Sequence, residues 1–220
     1  MSLSRASITD PVGPIKIDKF LINIGSSSSE LWGVQLYQGD LIAYGSTSAI
    51  YYRYNGHISI NEWYHLTLVY DGSESAGSRY KVYLNGTLLV ADFAPGTVPA
   101  VTPTFTTNLV IGKLAYSAAA YWNGKISNVS IFNTTLPETG TESVASVYNY
   151  GTPPNIASYS NLQAWWELDA SATFDGTNWS IPDASSNSNT GTSSPCRDAL
   201  TPPSAPTAST RFTIDSGIPW

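Results

Sequence analysis

"NEWYHLTLVYDGSESAGSRYKVYLNGTLLVAD", Asn61 to Asp92, carries two strand signals of different kinds. In its first part Tyr64, Leu66, Leu68 and Tyr70 fall on one side of an extended chain, and Trp63, His65, Thr67 and Val69 on the other, because side chains of a strand alternate. Both sides carry bulk, so this reads as a central strand. Its last part, Arg79 to Asp92, is a hairpin, with Asn85-Gly86 tolerating the positive φ angles of a type I′ turn.

The same pattern extends outward. "LWGVQLYQGDLIAYG", Leu31 to Gly45, reads as two strands about a Gln38-Gly39-Asp40 turn, and "AIYYRYNG" adds a third. Leu109 and Ile111, then Val129 and Ile131, alternate as further inward-facing residues. "LPETGTESVASVYNYG", Leu136 to Gly151, is the one helix expected: Pro and Glu suit a first turn, and Val144, Val147 and Tyr148 share a side. After the linker "TPPNIASYS" come the strand "LQAWWELD" and the polar loop "PDASSNSNTGTSS". Residues 193–220 read as an extended tail with "RFTIDSGIPW" as a candidate last strand.

Composition agrees with an all-β fold. Only 12% of the 220 residues are charged, and Gly, Ser, Thr, Asn and aromatic residues are plentiful, which suits short strands and turns. One β domain can hold a chain of this length. A net charge of −6 with ten Lys plus Arg lacks the basic stripe that phosphate binding requires, so no nucleic-acid partner is expected. A single cysteine, Cys196, excludes an internal disulfide, and two histidines, His57 and His65, are too few for a zinc or iron cluster. No membrane span is expected, and the polar start "MSLSRASITD" lacks the basic and apolar segments of a signal peptide. The chain reads as a piece of a larger polypeptide. Sequons at Asn85, Asn128, Asn133 and Asn178 arise readily by chance in such a composition.

In order, "NEWYHLTLVYDG", "KVYLNGTLLV", "NLVIGK", "WNGKISNVSIFNTTLPE" and "VASVYNYG" resemble the laminin G-like and pentraxin-like domains of the concanavalin A-like lectin/glucanase superfamily. The resemblance covers Leu31 to Gly151. It implies a jelly-roll sandwich of two antiparallel sheets with one short peripheral helix, whose rim loops often hold glycan or calcium in family members. "LQAWWELDASATFDGTNWSIPDASSNSNTGT" resembles the beginning of such a domain, yet stands near the end of this chain. Either it starts a truncated following repeat, or it closes this sandwich in circularly permuted order. Closure is preferred, because Leu162 to Asp169 would otherwise expose two tryptophans and an open edge. Residues 1–192 then form one sandwich, with 161–192 supplying a permuted edge strand.

"AWWELDASA", Ala164 to Ala172, poses a catalytic question, since Glu167-x-Asp169 resembles the start of a laminarinase-type glycoside hydrolase signature. Retaining hydrolysis needs two carboxyl groups about 5 Å apart across the scissile bond. That signature continues to a second Glu within two or three residues; here Ala170, Ser171, Ala172, Thr173 and Phe174 follow, and the next acid is Asp175. Trp165 and Trp166 then read as strand residues with one ring buried, and Glu167 and Asp169 as solvent-facing or turn-capping groups. No Gly-x-Ser-x-Gly elbow or cysteine nucleophile motif accompanies His57 or His65. No catalytic residues are expected.

A sugar site combines an aromatic platform with Asn, Asp or backbone groups. "YYRYNGH" offers Tyr51 and Tyr54 near a turn, and "AYSAAAYWNG" offers Tyr116, Tyr121, Trp122 and Asn123 about a loop. Each ring has core or rim packing as its alternative role. No cofactor is expected: Asp71, Glu74, Asp92 and Asp183 could serve calcium, but no ligand run supports it. The expectation is a non-catalytic carbohydrate-binding or adhesion module of an extracellular or virion surface protein. Its partners would be a glycan or surface polysaccharide and neighbouring modules of a larger polypeptide. A structural display domain of a phage or virus particle is the alternative, and a glycoside hydrolase relative the weaker one.

Overall fold

The computed structural model describes residues 2–8, as backbone alone, and residues 19–193 apart from Ile60, Pro103, 118–119 and Asn123. The expected tail beyond Ser193 lies outside the described residues. In chain order the strands are β1 Ser2–Ile8, β2 Lys19–Ser27, β3 Glu30–Tyr37, β4 Asp40–Ser46, β5 Tyr51–Tyr54, β6 Trp63–Tyr70 and β7 Tyr80–Leu84. There follow β8 Thr87–Leu88, β9 Val110–Ile111, β10 Gly124–Ile126, β11 Val129–Phe132, helix α1 Val144–Tyr148, β12 Leu162–Trp166, β13 Thr173–Phe174, β14 Trp179–Ile181 and β15 Gly191–Thr192.

Among the described residues, one antiparallel sheet runs β12-β11-β1-β6-β7-β8, with β10 also pairing β1, and a second runs β5-β4-β3-β2-β9. β13-β14-β15 form a small third sheet. The central strand is β6, between β1 and β7. Its Leu66 and Leu68 meet Ile22, Val34, Leu36 and Ala43 of the opposite sheet in the main core, while Val69 joins a second core on the far side. This is the two-sided bulk of the sequence given a use. Asn85 (φ 51°) and Gly86 (φ 76°) make the expected turn, and Asn85 bonds His65 through both its amide and its side-chain oxygen. Gly33 (φ 146°) is obligatory, since a Cβ there would lie 2.3 Å from the Ile22 carbonyl oxygen.

The helix is shorter than expected. Instead of forming a first turn, Pro137 and Glu138 lie in a loop whose carbonyls accept from Val144 N at 2.9 Å and Ala145 N at 3.1 Å. They satisfy helix N–H groups from outside. Ser143 and Ser146 complete a reciprocal capping box. Buried Val144 and Val147 pack with Val69, Tyr83, Phe132 and Trp165 on the outer side of the first sheet.

This second core changes the fate of the paired tryptophans. Trp166 points into the sandwich and Trp165 under the helix, so both rings are buried, not one. β12 pairs β11 in register Val129↔Trp166, Ser130↔Trp165 and Ile131↔Ala164. Its other edge is covered by the loop after β14. Asp183 accepts from Trp165 N at 2.8 Å, Ser185 N at 2.8 Å and Asn189 N at 2.8 Å, and Ala184 N returns a bond to Trp165 O at 2.7 Å. Asn189 Nδ2 reaches Gln163 O at 2.7 Å and Asn187 Nδ2 reaches Leu162 O at 2.8 Å. Side chains thus take the place of a neighbouring strand and blunt the edge.

Asp183→Ala should therefore lower unfolding free energy by about 2–3 kcal/mol, because charge-assisted acceptors are lost and a buried amide is left unpaired. Asp175→Ala, which removes bonds to the exposed Thr177 and Asn178 amides, should cost under about 1 kcal/mol. Urea unfolding with amide hydrogen exchange at Trp165 measures both.

Candidate functional site

Strand alternation divides the tyrosines of β4 and β5. Tyr52 and Tyr54 turn inward, and Tyr54 is only 2% exposed in the main core, where burial raises its hydroxyl pKa above the ordinary range. It cannot stack on a sugar, which corrects the expectation for Tyr54. Tyr51 turns outward and faces Tyr44 across the β4–β5 pair. The bridge Arg53↔Phe93 brings Phe93 beside it. Ring centres follow one another from Phe20 to Tyr44 at 5.8 Å, Tyr44 to Tyr51 at 6.0 Å, and Tyr51 to Phe93 at 6.0 Å. Phe20 is buried at one end, and Phe93 is 54% exposed at the other.

Polar planar groups flank this row. Tyr44 donates its hydroxyl to Gln35 Oε1. Arg53 holds Asp40 through Nε at 2.9 Å and a second, shorter contact from Nη2, and its guanidinium carbon lies 5.9 Å from the Tyr37 ring centre. The Asp40 carboxylate beside Arg53 raises the guanidinium pKa further. Tyr44, Phe93, Gln35 and the Arg53–Asp40 pair went unread in the sequence. Tyr44 could have been found from the hairpin register that sets it opposite Tyr51; Phe93 has no local signal.

The loop after β9 is latched to β2, with Asn23 Nδ2 donating to Lys113 O at 2.6 Å and Ala115 N donating to Asn23 Oδ1 at 2.7 Å. It leaves Tyr116 39% exposed and Tyr121 half-buried. Trp122 is the second correction. Its amide bonds Gly112 O at 2.7 Å, and its ring is buried at 7% exposure in the main core. Trp122 sits in the loop before β10 but turns its ring inward, so it is no surface platform. Asn123 lies outside the described residues.

The acids do not converge. β12 stops at Trp166, and Leu168 (φ 56°), 2% exposed, drops into the core between Glu167 and Asp169. The regular alternation that would put the two acids on one strand face therefore ends before them. Asp169 Oδ1 accepts from Ser171 N at 2.9 Å and Ser171 Oγ at 2.6 Å, which holds its carboxyl below the usual range. Burial, helped by the Asp169 charge, raises that of Glu167. The four acids weighed for calcium serve separate local partners: Asp71 holds Ser73, Asp92 the Asn55 amide, Asp183 its loop, and Glu74 lies 3.8 Å from Lys81. Among the described residues no group of three His, Cys, Asp or Glu could hold a metal ion.

Residues 9–140 match the Laminin_G_3 family of the concanavalin A-like lectin/glucanases superfamily, and the chain belongs to that family. No curated protein matches it. Domains of this superfamily often bind carbohydrate or are structural, and the laminin G-like ones are generally non-catalytic. The match ends before β12, so the tryptophan strand and its covering loop lie beyond it.

The acid pair has a signed pH signature. Asp169, with its folded pKa below the ordinary 3.8, contributes stability above that value and loses it as pH falls through the folded pKa. Glu167, raised above 4.5, opposes folding while ionised, and that penalty disappears as pH falls from its folded pKa through 4.5. Carboxyl NMR titration should show the two midpoints displaced in opposite directions, with Ser171→Ala returning Asp169 toward 3.8. Glu167→Gln should leave stability at pH 7 unchanged or slightly higher.

Proposed function

We propose that this domain is a non-catalytic carbohydrate-binding or adhesion module of a larger surface or virion polypeptide, and that neutral glycan docks on the outer face of the β2–β5 sheet. The observation that carries this reading is the ring row ending at exposed Phe93 beside Tyr51. Sugars present apolar C–H faces, which stack on such rings, and hydroxyls, which find donors and acceptors in Asp40 and Arg53. Because Arg53 is already paired with Asp40, the face offers little net charge, which favours a neutral saccharide over a sulfated or acidic one. Tyr116 is a secondary candidate on the adjoining loop.

The non-catalytic part of the reading is supported by the turn-bound Asp169 and by the inward break at Leu168. The β11–β12 pairing and the Asp183 contacts support assigning 161–192 to this same sandwich, in permuted order.

A glycan array tests the reading. Saturable binding to neutral glycans is expected, with Phe93→Ala and Tyr51→Ala each weakening it about tenfold, the loss of roughly 1.4 kcal/mol of stacking. An absence of binding by the folded domain would favour a structural display role. Hydrolysis of β-glucan that Glu167→Gln abolishes would overturn the non-catalytic assignment.

A further inference from the structure

Between the two sheets, at the end where β3 begins and β6 finishes, lies an open cavity of about 350 Å³. Protein interiors leave few voids larger than a water, and this one holds about ten times a water's share of liquid volume. Its floor is apolar. Leu68 and Leu109 are buried there, and Trp32 stands edge-on to Tyr70 at 4.8 Å and to Tyr80 at 5.6 Å, with Phe105 half-buried on the loop side. Polar residues gather where it opens: Asp71, Thr102, Asn133 and Thr135, of which the last three are exposed.

The walls are held in place without a ligand. Tyr70 donates its hydroxyl to Pro99 O at 2.8 Å, which commits that phenol's proton to the loop. Arg79 ties the same loop down through Val98 O at 2.8 Å and reaches Glu74 O at 3.0 Å. Gly72 lies so close to that loop that a Cβ would meet Ala100 O at 2.0 Å. Gly25 N reaches Thr107 Oγ1 at 3.2 Å on the other side. A preformed site of this size falls within the usual range of small-molecule pockets, roughly 300–1,000 Å³.

We infer that this cavity binds a small, flat, neutral molecule with an apolar body and one hydroxyl end, the rings and leucines receiving the body and the Asp71–Asn133 mouth the hydroxyl. A sugar would leave most of its hydroxyls unpaired against these walls, so this site is separate from the glycan face and does not depend on it. Anions are disfavoured by Asp71, whose carboxylate is held ionised by the Ser73 amide at 2.9 Å and hydroxyl at 2.6 Å. The other carboxylate oxygen remains to accept from the ligand hydroxyl.

The probes are 2-naphthol, naphthalene and 2-naphthoate, titrated into the ¹⁵N-labelled chain and followed by NMR. Saturable one-site binding of 2-naphthol is expected, moving the Trp32 indole and the Asp71 and Asn133 amides, with naphthalene weaker and naphthoate at least tenfold weaker. Phe105→Trp, which crowds the cavity from its loop side, and Thr102→Trp, which narrows its mouth from an exposed position, should each weaken 2-naphthol at least tenfold. Their melting temperatures and any saccharide binding should stay unchanged; if Phe105→Trp fails to fold, Thr102→Trp still decides. The inference is overturned if 2-naphthol does not saturate, if it binds the folded Thr102→Trp protein as well as wild type, or if naphthoate binds as tightly.

Discussion

The carboxylate of Asp183 takes three backbone amides at 2.8 Å, one of them from Trp165 in β12, and through that strand it reaches the whole sandwich. With β12 held between β11 and the 183–189 loop, Trp166 is fixed at 0% exposure, and its indole N–H finds Asn189 O at 2.7 Å inside the same loop. Trp165 meanwhile roofs the second core with Val144 and Val147. One side chain therefore caps an edge, seats two tryptophans on opposite faces and joins both hydrophobic cores. An uncapped β12 would present unpaired amides beside two large rings, the combination most prone to edge-to-edge association.

The closed sandwich in turn sets what the second sheet can display. Core packing of Leu41, Ala43, Tyr52 and Tyr54 commits one face of β4 and β5 to the interior, so the two-residue period of the strand delivers Tyr44, Tyr51 and Arg53 outward together. The Arg53–Phe93 bridge then extends the ring row beyond the sheet's last regular strand. The apolar cavity at the sandwich end arises from the same architecture, where the sheets part and loops rather than strands fill the gap.

Local periodicity made much of the fold legible. The alternation in β6, the Asn85-Gly86 turn and the inward Leu109, Ile111, Val129 and Ile131 could all be read within short windows, and the family resemblance ordered them. What failed depended on distant partners. Pro137 and Glu138 look like a helix start, yet their carbonyls cap a helix that begins seven residues after Pro137, at Val144. Burial of Trp165 required the second core, which no local pattern announces. Among the proposed sugar contacts, Tyr51 was placed outward, but Tyr54 shares its strand with the opposite parity, and Trp122 is drawn into the core by its amide bond to Gly112. Aromatic abundance marks a β sandwich; strand phase decides which rings meet solvent.

Neutral glycan, docked as proposed, meets the aromatic outer face of the β2–β5 sheet and not the rings of the main core. Ring-resolved NMR during titration with a neutral oligosaccharide tests it most directly. The Tyr44, Tyr51 and Phe93 ring resonances should shift along one binding curve, while those of Tyr52, Tyr54 and Tyr80 stay fixed. Shifts confined to the 113–122 loop, or a saturating complex that leaves the Tyr51 and Phe93 rings unmoved, would contradict it.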